Sequence, residues 1–456
     1  MTATESPAGL TGRTLFPGQP GFEEEKATFN LCVEHTPSVI VRAQNQLDVQ
    51  AAVRYAAGAG RPVAVQATGH GIGAAADGAV LISTRAMRGV RVYPDALVAR
   101  FEAGALWSDV VAATAEHGLA PLVGSTPNVS AVGYHTGGGL PVLGRAHGCA
   151  ADHVRGFDLV TADGRLRHVY PDTEPELFWA VRGGKSNFGV VVSMEIDLFP
   201  IKTVYGGRLT YLGADSDRVF EAWRDWTATA PEAMATAVMW IRFPDLPQLP
   251  EPIRGQYLFF VTVGFAGDAE EGARLIAPLR ALGPILDTVT ALPHSRIGEV
   301  YDDPTDPGFY VEAGGLLRTL DDEALKRILA AVGPDAEQPP FALNIRLLGG
   351  ALARTPARPS AVSHRDAEHI VMVFGLAPDA SLVPPLTTHA RAVLASLEPA
   401  LTGGVLPNWL GTDTTAPEEV ARAYSAADWE RLRAVKRAVD PGNMFRINHN
   451  IPPLEG

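Results

Sequence analysis

Three short segments hold the residues best suited to chemistry. The first is Thr68-Gly69-His70-Gly71-Ile72-Gly73, which follows the apolar, β-branched run Pro62–Ala67. Its glycines let consecutive backbone N–H groups converge into a nest for phosphate oxygens, with a histidine among them. This is not the dinucleotide-binding fingerprint, because the third glycine is misplaced and no helix follows. A tight turn carrying a surface histidine accounts for it equally well. The second segment runs from Gly124 to Gly139 (GSTPNVSAVGYHTGGG), where small residues would let a flat ligand lie against backbone. The third is Gly183-Gly184-Lys185-Ser186-Asn187-Phe188-Gly189. Gly184-Lys185-Ser186 imitates the end of a phosphate-binding P-loop, but its leading glycine would fall where Trp179 stands, which excludes a nucleoside triphosphatase.

The elements that must position these segments alternate in the first half of the chain. Strands are expected at Ser38–Ala43, Pro62–Ala67, Val80–Thr84, Leu97–Ala103 and Val190–Phe199. Helices are expected at Gln46–Ala59, from Ser108 to about Glu116, and at Glu174–Val181. Asp163-Gly164, between the apolar runs Val154–Val160 and Arg165–Val169, predicts a hairpin. Beyond Pro200 the texture becomes that of an antiparallel sheet with covering helices. Its strands are expected at Val204–Tyr211, Val238–Phe243, Tyr257–Phe265, Phe341–Leu348 and Ile370–Leu376, with helices at Arg218–Thr227, Glu270–Leu282, Glu323–Ala331 and Thr387–Leu397. One or two helices over Pro417–Val439 end at Asp440-Pro441-Gly442-Asn443.

The chain has 456 residues, and Lys+Arg minus Asp+Glu is 38 − 51 = −13, which argues against a nucleic-acid or anionic-membrane partner. No signal peptide or membrane span is read from the sequence, and two cysteines, Cys32 and Cys149, make no disulfide framework or metal cluster. A cytoplasmic protein without a metal is expected; the oligomeric state is not legible.

The order of motifs carries a resemblance. A Gly-His loop after a strand and the GGG segment are followed by Ala150-Ala151-Asp152-His153-Val154 and Val160-Thr161-Ala162-Asp163-Gly164. Leu177-Phe178-Trp179-Ala180-Val181-Arg182-Gly183-Gly184 comes next, and then Asp440-Pro441-Gly442-Asn443-Met444-Phe445 and Asn448-His449-Asn450-Ile451-Pro452-Pro453. The chain thus resembles the berberine-bridge-enzyme-like FAD-linked oxidases of the vanillyl-alcohol-oxidase superfamily over nearly its whole length. The resemblance is strongest from Ser38 to Pro200 and after Val405.

The resemblance implies an α+β, two-domain fold with a PCMH-type FAD-binding domain and an inserted antiparallel-sheet substrate domain. The expected divisions are residues 1–200 for FAD (core about 34–203), 201–405 for substrate, and a returning C-terminal segment at 406–456. It also implies FAD bonded through its 8α-methyl to His70. Ala67, Thr68, Gly69, Gly71 and Ile72 would cradle the pyrophosphate. Val132, Gly133, Thr136, Gly137 and Val191 would line the flavin, and Asn448 and Asn450 would meet its polar edge.

Two departures from the family pattern matter. Thr126 stands where many members carry a second, cysteinyl link, so the FAD is expected to be singly covalent. Leu406, in Leu406-Pro407-Asn408-Trp409, replaces the usual tyrosine base. Substitutes are sought in Tyr134, His135, Tyr310, Glu312 and Arg346, of which Tyr134, Tyr310 and Arg346 are the chosen catalytic candidates. Ala131 is expected to leave O₂ room beside the flavin. The implied activity is oxidation of a bulky secondary metabolite, with O₂ reduced to hydrogen peroxide. Oxidative cyclisation and drug sequestration stay open as alternatives.

Overall fold

A computed structural model describes residues 7, 9–245, 247, 251 and 253–455 of the chain. The described residues form three sheets. The smallest joins β1 (Arg13–Leu15), β2 (Val39–Arg42), β3 (Val63–Gln66) and β4 (Val80–Ser83) in the order β1-β2-β4-β3, with β2, β4 and β3 parallel. Parallel pairing needs a crossover, which the helix Gln46–Gly58 supplies; Asn45 caps it by accepting from Leu47 and Asp48 N–H.

The second sheet joins β5 (Val90–Tyr93), β6 (Val98–Glu102), β7 (Val154–Val160), β8 (Leu166–Val169) and β9 (Val190–Asp197) in the antiparallel order β5-β6-β9-β7-β8. The expected hairpin is β7–β8, turning at Gly164 with φ +70°. The helix expected from Ser108 starts at Trp107 and is capped through Asp109, which accepts from Leu106 N–H; it ends at Ala115.

The third sheet comprises β10 (Thr203–Leu212), β11 (Met234–Arg242), β12 (Tyr257–Phe265), β13 (Leu286–Asp287), β14 (Thr290–Pro293), β15 (Phe309–Leu317), β16 (Ala342–Leu347) and β17 (His369–Ala377). Their order is β13-β10-β12-β11-β16-β17-β15, with β14 also on β10. Strand alternation gives this sheet two unlike faces. Leu209, Val238, Val261, Ile345, Val371 and Val373 are buried under Phe220 and Trp223 of the helix Ser216–Thr227 and under two further helices, Asp322–Val332 and Val383–Ser396. The opposite face lines the main cavity.

Three expectations about elements are corrected. Glu270–Leu282 is two helices, Ala269–Leu275 and Ala277–Arg280, broken where Pro278 removes an N–H donor. The small-residue segment contains a helix, Ala131–Thr136, with Ser130 as its cap. Phe309–Leu317, absent from the expected strands, forms β15 with Gly314-Gly315 inside it. A Cβ at Gly314 would lie 2.8 Å from the carbonyl oxygen of Trp409, so the glycine permits a close backbone approach.

Candidate active site

The chain's end is clamped to its middle by Asn187. Its Nδ2 donates to the carbonyls of Gly184 (2.9 Å) and His449 (3.0 Å), and its Oδ1 accepts from Ile451 N–H (2.8 Å). Asp440 holds the preceding turn by accepting from the N–H groups of Met444 (2.8 Å) and Phe445 (2.9 Å) and from Lys436 Nζ (2.7 Å). Gly73 completes the clamp, since a Cβ there would lie 2.3 Å from His449 N. The three chemistry-bearing segments and the C-terminal motif thereby meet around one cavity of about 1140 Å³, roofed by the eight-stranded sheet.

Most of the residues named from sequence line it: Ala67, Thr68, Gly69, His70, Gly71, Ile72, Thr126, Val132, Gly133, Thr136, Val191 and Asn448. Gly137 and Asn450 stand outside the lining; a Cβ at Gly137 would overlap the Asn408 side chain, whose Nδ2 donates to the Tyr134 carbonyl (2.8 Å). Ala131 is fully buried, and Val132 and Gly133 form the wall in its place.

His70 is the centre of the wall. Its Nδ1 is 2.8 Å from Thr68 Oγ1, while Nε2 is buried without a hydrogen-bond partner. Burial pushes its pKa down to about 4, against the side chain of Asn128, so the ring is neutral. Gly69, at φ +76°, passes so close to Thr28 that a Cβ would come within 2.9 Å of its Cα. Thr126 donates its hydroxyl to Asp303 Oδ2 (3.1 Å).

The candidate catalytic groups separate on inspection. His135 lies outside the lining; it is buried against Trp107 and Phe101, and its Nδ1 is 2.8 Å from the Ala131 carbonyl. Tyr310 lines the cavity but donates its hydroxyl to the Asp306 carbonyl (2.9 Å). Tyr134 lines it with a buried, unpartnered hydroxyl whose pKa burial raises well above 10. Arg346 lines it too, and a guanidinium does not lose its proton in proteins, so it cannot be the base. Glu312 opens onto the cavity from β15; desolvation raises its carboxyl to about 7, against the pull of Lys185.

Lys185, which in the sequence only imitates a P-loop lysine, belongs to the site by its geometry. It stands at φ +57°, unusual for a side chain with a Cβ, and its Nζ lines the cavity. Nζ donates to the Pro407 carbonyl (3.3 Å) and to His449 Nδ1 (3.0 Å), whose Nε2–H donates to the Gly411 carbonyl (3.0 Å). Burial lowers its pKa to about 8, which the Glu312 charge opposes. A lysine in an otherwise small-residue loop was the available signal.

The residues present fit an FAD. Unpartnered buried atoms at His70 Nε2, Asn448 Oδ1 and Tyr134 OH suit a large ligand rich in donors and acceptors, and Gly71 and Gly133 bare backbone to it. No group of three or more metal-ligating side chains occurs among the described residues.

Comparison with known proteins agrees. The FAD binding domain family matches residues 37–170, and the berberine and berberine-like family matches residues 411–452. The (R)-6-hydroxynicotine oxidase of Paenarthrobacter nicotinovorans is 29% identical, with 98% of each chain covered. The crystal structure of 6-hydroxy-D-nicotine oxidase from Arthrobacter nicotinovorans superposes with a TM-score of 0.84 at 27% identity, covering 98% of this chain and 99% of that one. Physcomitrella patens BBE-like 1 shares the fold at a TM-score of 0.86 and 18% identity, with both chains fully covered.

Proposed function

We propose that this chain, an FAD-linked oxidoreductase of the berberine-bridge-like kind, is an oxidase that holds its flavin by one covalent bond, through His70. The observation that carries the reading is the neutral imidazole of His70, its Nε2 buried and unpartnered in the cavity wall. With the ring proton on Nδ1 and donated to Thr68 Oγ1, Nε2 would be free to offer its lone pair to the flavin 8α carbon. That N–C bond would replace a methyl C–H and the imidazole N–H, and the two protons and two electrons released would reduce O₂ to H₂O₂. No second bond is proposed, because the hydroxyl of Thr126 is a weak nucleophile already engaged by Asp303.

When bound, FAD supplies a hydride acceptor that O₂ restores, so that substrate-H₂ + O₂ gives product + H₂O₂. The protein supplies a proton acceptor, and Glu312 is the group suited to it. Its carboxyl titrates near 7 at the cavity wall, and Lys185 favours its ionised form. Leu406 contributes nothing to proton transfer; it packs against the apolar cluster of Leu316, Leu348 and Leu352.

The substrate is proposed to be a bulky secondary metabolite. The cavity, at about 1140 Å³, exceeds the roughly 300–1,000 Å³ that one drug-sized ligand needs, which leaves room for cofactor and substrate together. A cytoplasmic site of action belongs to the same proposal. Oxidative cyclisation is the second reading, favoured by the apolar Leu406 where the family pattern implies a tyrosine.

Anaerobic mixing with candidate metabolites tests the oxidase reading. The flavin band should bleach, then return on admitting O₂ with stoichiometric peroxide. A flavin reduced by none of them counts against it, and a product with a new ring by mass spectrometry selects the cyclase.

A further inference from the structure

We propose that the substrate carries a carboxylate and that Arg346 receives it, an inference that rests on the oxidase reading and narrows its substrate class. Arg346 projects from β16 into the cavity with its guanidinium between two aromatic rings, 4.4 Å from the centroid of Tyr301 and 4.8 Å from that of Trp409. Cation–π contact occupies the faces of the group and leaves its N–H edge available. Nε donates to Asn344 Oδ1 (2.9 Å), and Asn344 is itself pinned by donating to the Val238 carbonyl (2.9 Å). Among the described residues, neither terminal nitrogen of Arg346 makes a hydrogen bond and no carboxylate forms an ion pair with it. The result is a fork held in plane and direction, with its pairing edge unused.

The carboxylates around the cavity are engaged elsewhere. Glu299 pairs with Arg296 at 2.6 Å, Asp303 accepts from Thr126, and Glu312 interacts with Lys185. The second cavity arginine, Arg208, sits in the same cross-strand row, Arg208–Thr262–Ala237–Arg346, three strand spacings or roughly 14 Å away. Asp302 and Asp303 act on Arg208, opposing the effect of its burial. A planar oxyanion supplied by the ligand would complete this fork through two parallel N–H···O bonds. The buried, unpartnered hydroxyl of Tyr134 is a neutral donor that Arg346's field reaches, so it can donate to the same anion.

The test is a binding titration of the flavin-loaded enzyme with 2-naphthoate and its neutral isostere 2-naphthamide, read from the visible flavin absorption. Naphthoate should bind about 10- to 100-fold more tightly than the amide. Arg346→Met should erase the preference without altering the resting flavin spectrum, and Arg346→Lys, which keeps the charge but not the fork, should retain only part of it. Equal affinities in the wild type, no naphthoate binding up to millimolar concentration, or an undiminished preference in either variant overturns the proposal. Should Arg346→Met take up no flavin, Arg346→Lys alone decides on the same criterion. These outcomes leave the oxidase reading intact, because flavin reduction and peroxide test it separately. Selective naphthoate binding by an enzyme whose flavin no candidate reduces would sink the oxidase reading alone.

Discussion

Phe29 lies face to face with His70, their ring centroids 3.7 Å apart and their planes 11° from parallel. Tyr310 continues the stack on the Phe29 ring at 5.5 Å. Backbone bonds from Phe29 N–H to the Thr68 carbonyl (3.0 Å) and from Asn30 N–H to the Gly69 carbonyl (3.1 Å) fix the N-terminal segment beside the loop. The imidazole is therefore oriented before any cofactor arrives, and orientation is what an intramolecular bond-forming step requires. Phe29→Ala should slow acquisition of acid-stable flavin by apoprotein mixed with FAD, by roughly 2- to 10-fold from the worth of an aromatic pair. An unchanged time course would remove Phe29 from the account.

Glu312 is expected to set the pH dependence. Its carboxyl is raised to about 7, so kcat/KM should climb as pH rises through that value and the carboxylate forms. Glu312→Gln should lower flavin reduction about 10²- to 10⁴-fold and remove that limb of the profile. A variant that reduces its flavin at the wild-type rate relocates the base.

The contact of Gly73 with His449 is a test of how the two ends of the cofactor site are joined. A methyl group there meets backbone at 2.3 Å, not the yielding tip of a side chain. Gly73→Ala should cost about 1–3 kcal/mol of stability and lower the melting temperature. A melting temperature equal to the wild type's would show that the clamp is loose.

Buried histidines make the protein sensitive to acid. Desolvation lowers His135, His294 and His369 to about 4; it also lowers His449, to about 3, with Lys185 adding to the effect. Each folded value lies below the unfolded one, so the unfolded chain binds more protons as pH falls through that interval. Stability is complete above about pH 6.5 and declines below it, by roughly 1.4 kcal/mol per pH unit for each histidine. Melting temperatures should fall steeply between about pH 6.5 and 4.5; a flat profile contradicts this burial pattern.

Much of this architecture was legible in the sequence because local pattern and tertiary role agree. The run Pro62–Ala67 yields β3, with Gly69 at positive φ just beyond it, and Asp163-Gly164 turns the β7–β8 hairpin. What escaped depends on partners distant in sequence. β15 is interrupted by Gly314, which faces the Trp409 backbone, and the helix Ala131–Thr136 hides among residues chosen for size and not propensity. Lys185 gave a false phosphate-loop signal; its setting depends on His449, 264 residues later. Arg346 was picked out for chemistry, but the rings that leave its edge free come from two separate loops.

The account's central claim is the bond at His70. The measurement is flavin fluorescence on an acid-denaturing gel, for the wild type and for His70→Ala. A fluorescent wild-type band and a dark variant band are predicted, with FAD released from the variant on denaturation. A dark wild-type band, or fluorescence that survives in His70→Ala, would contradict it.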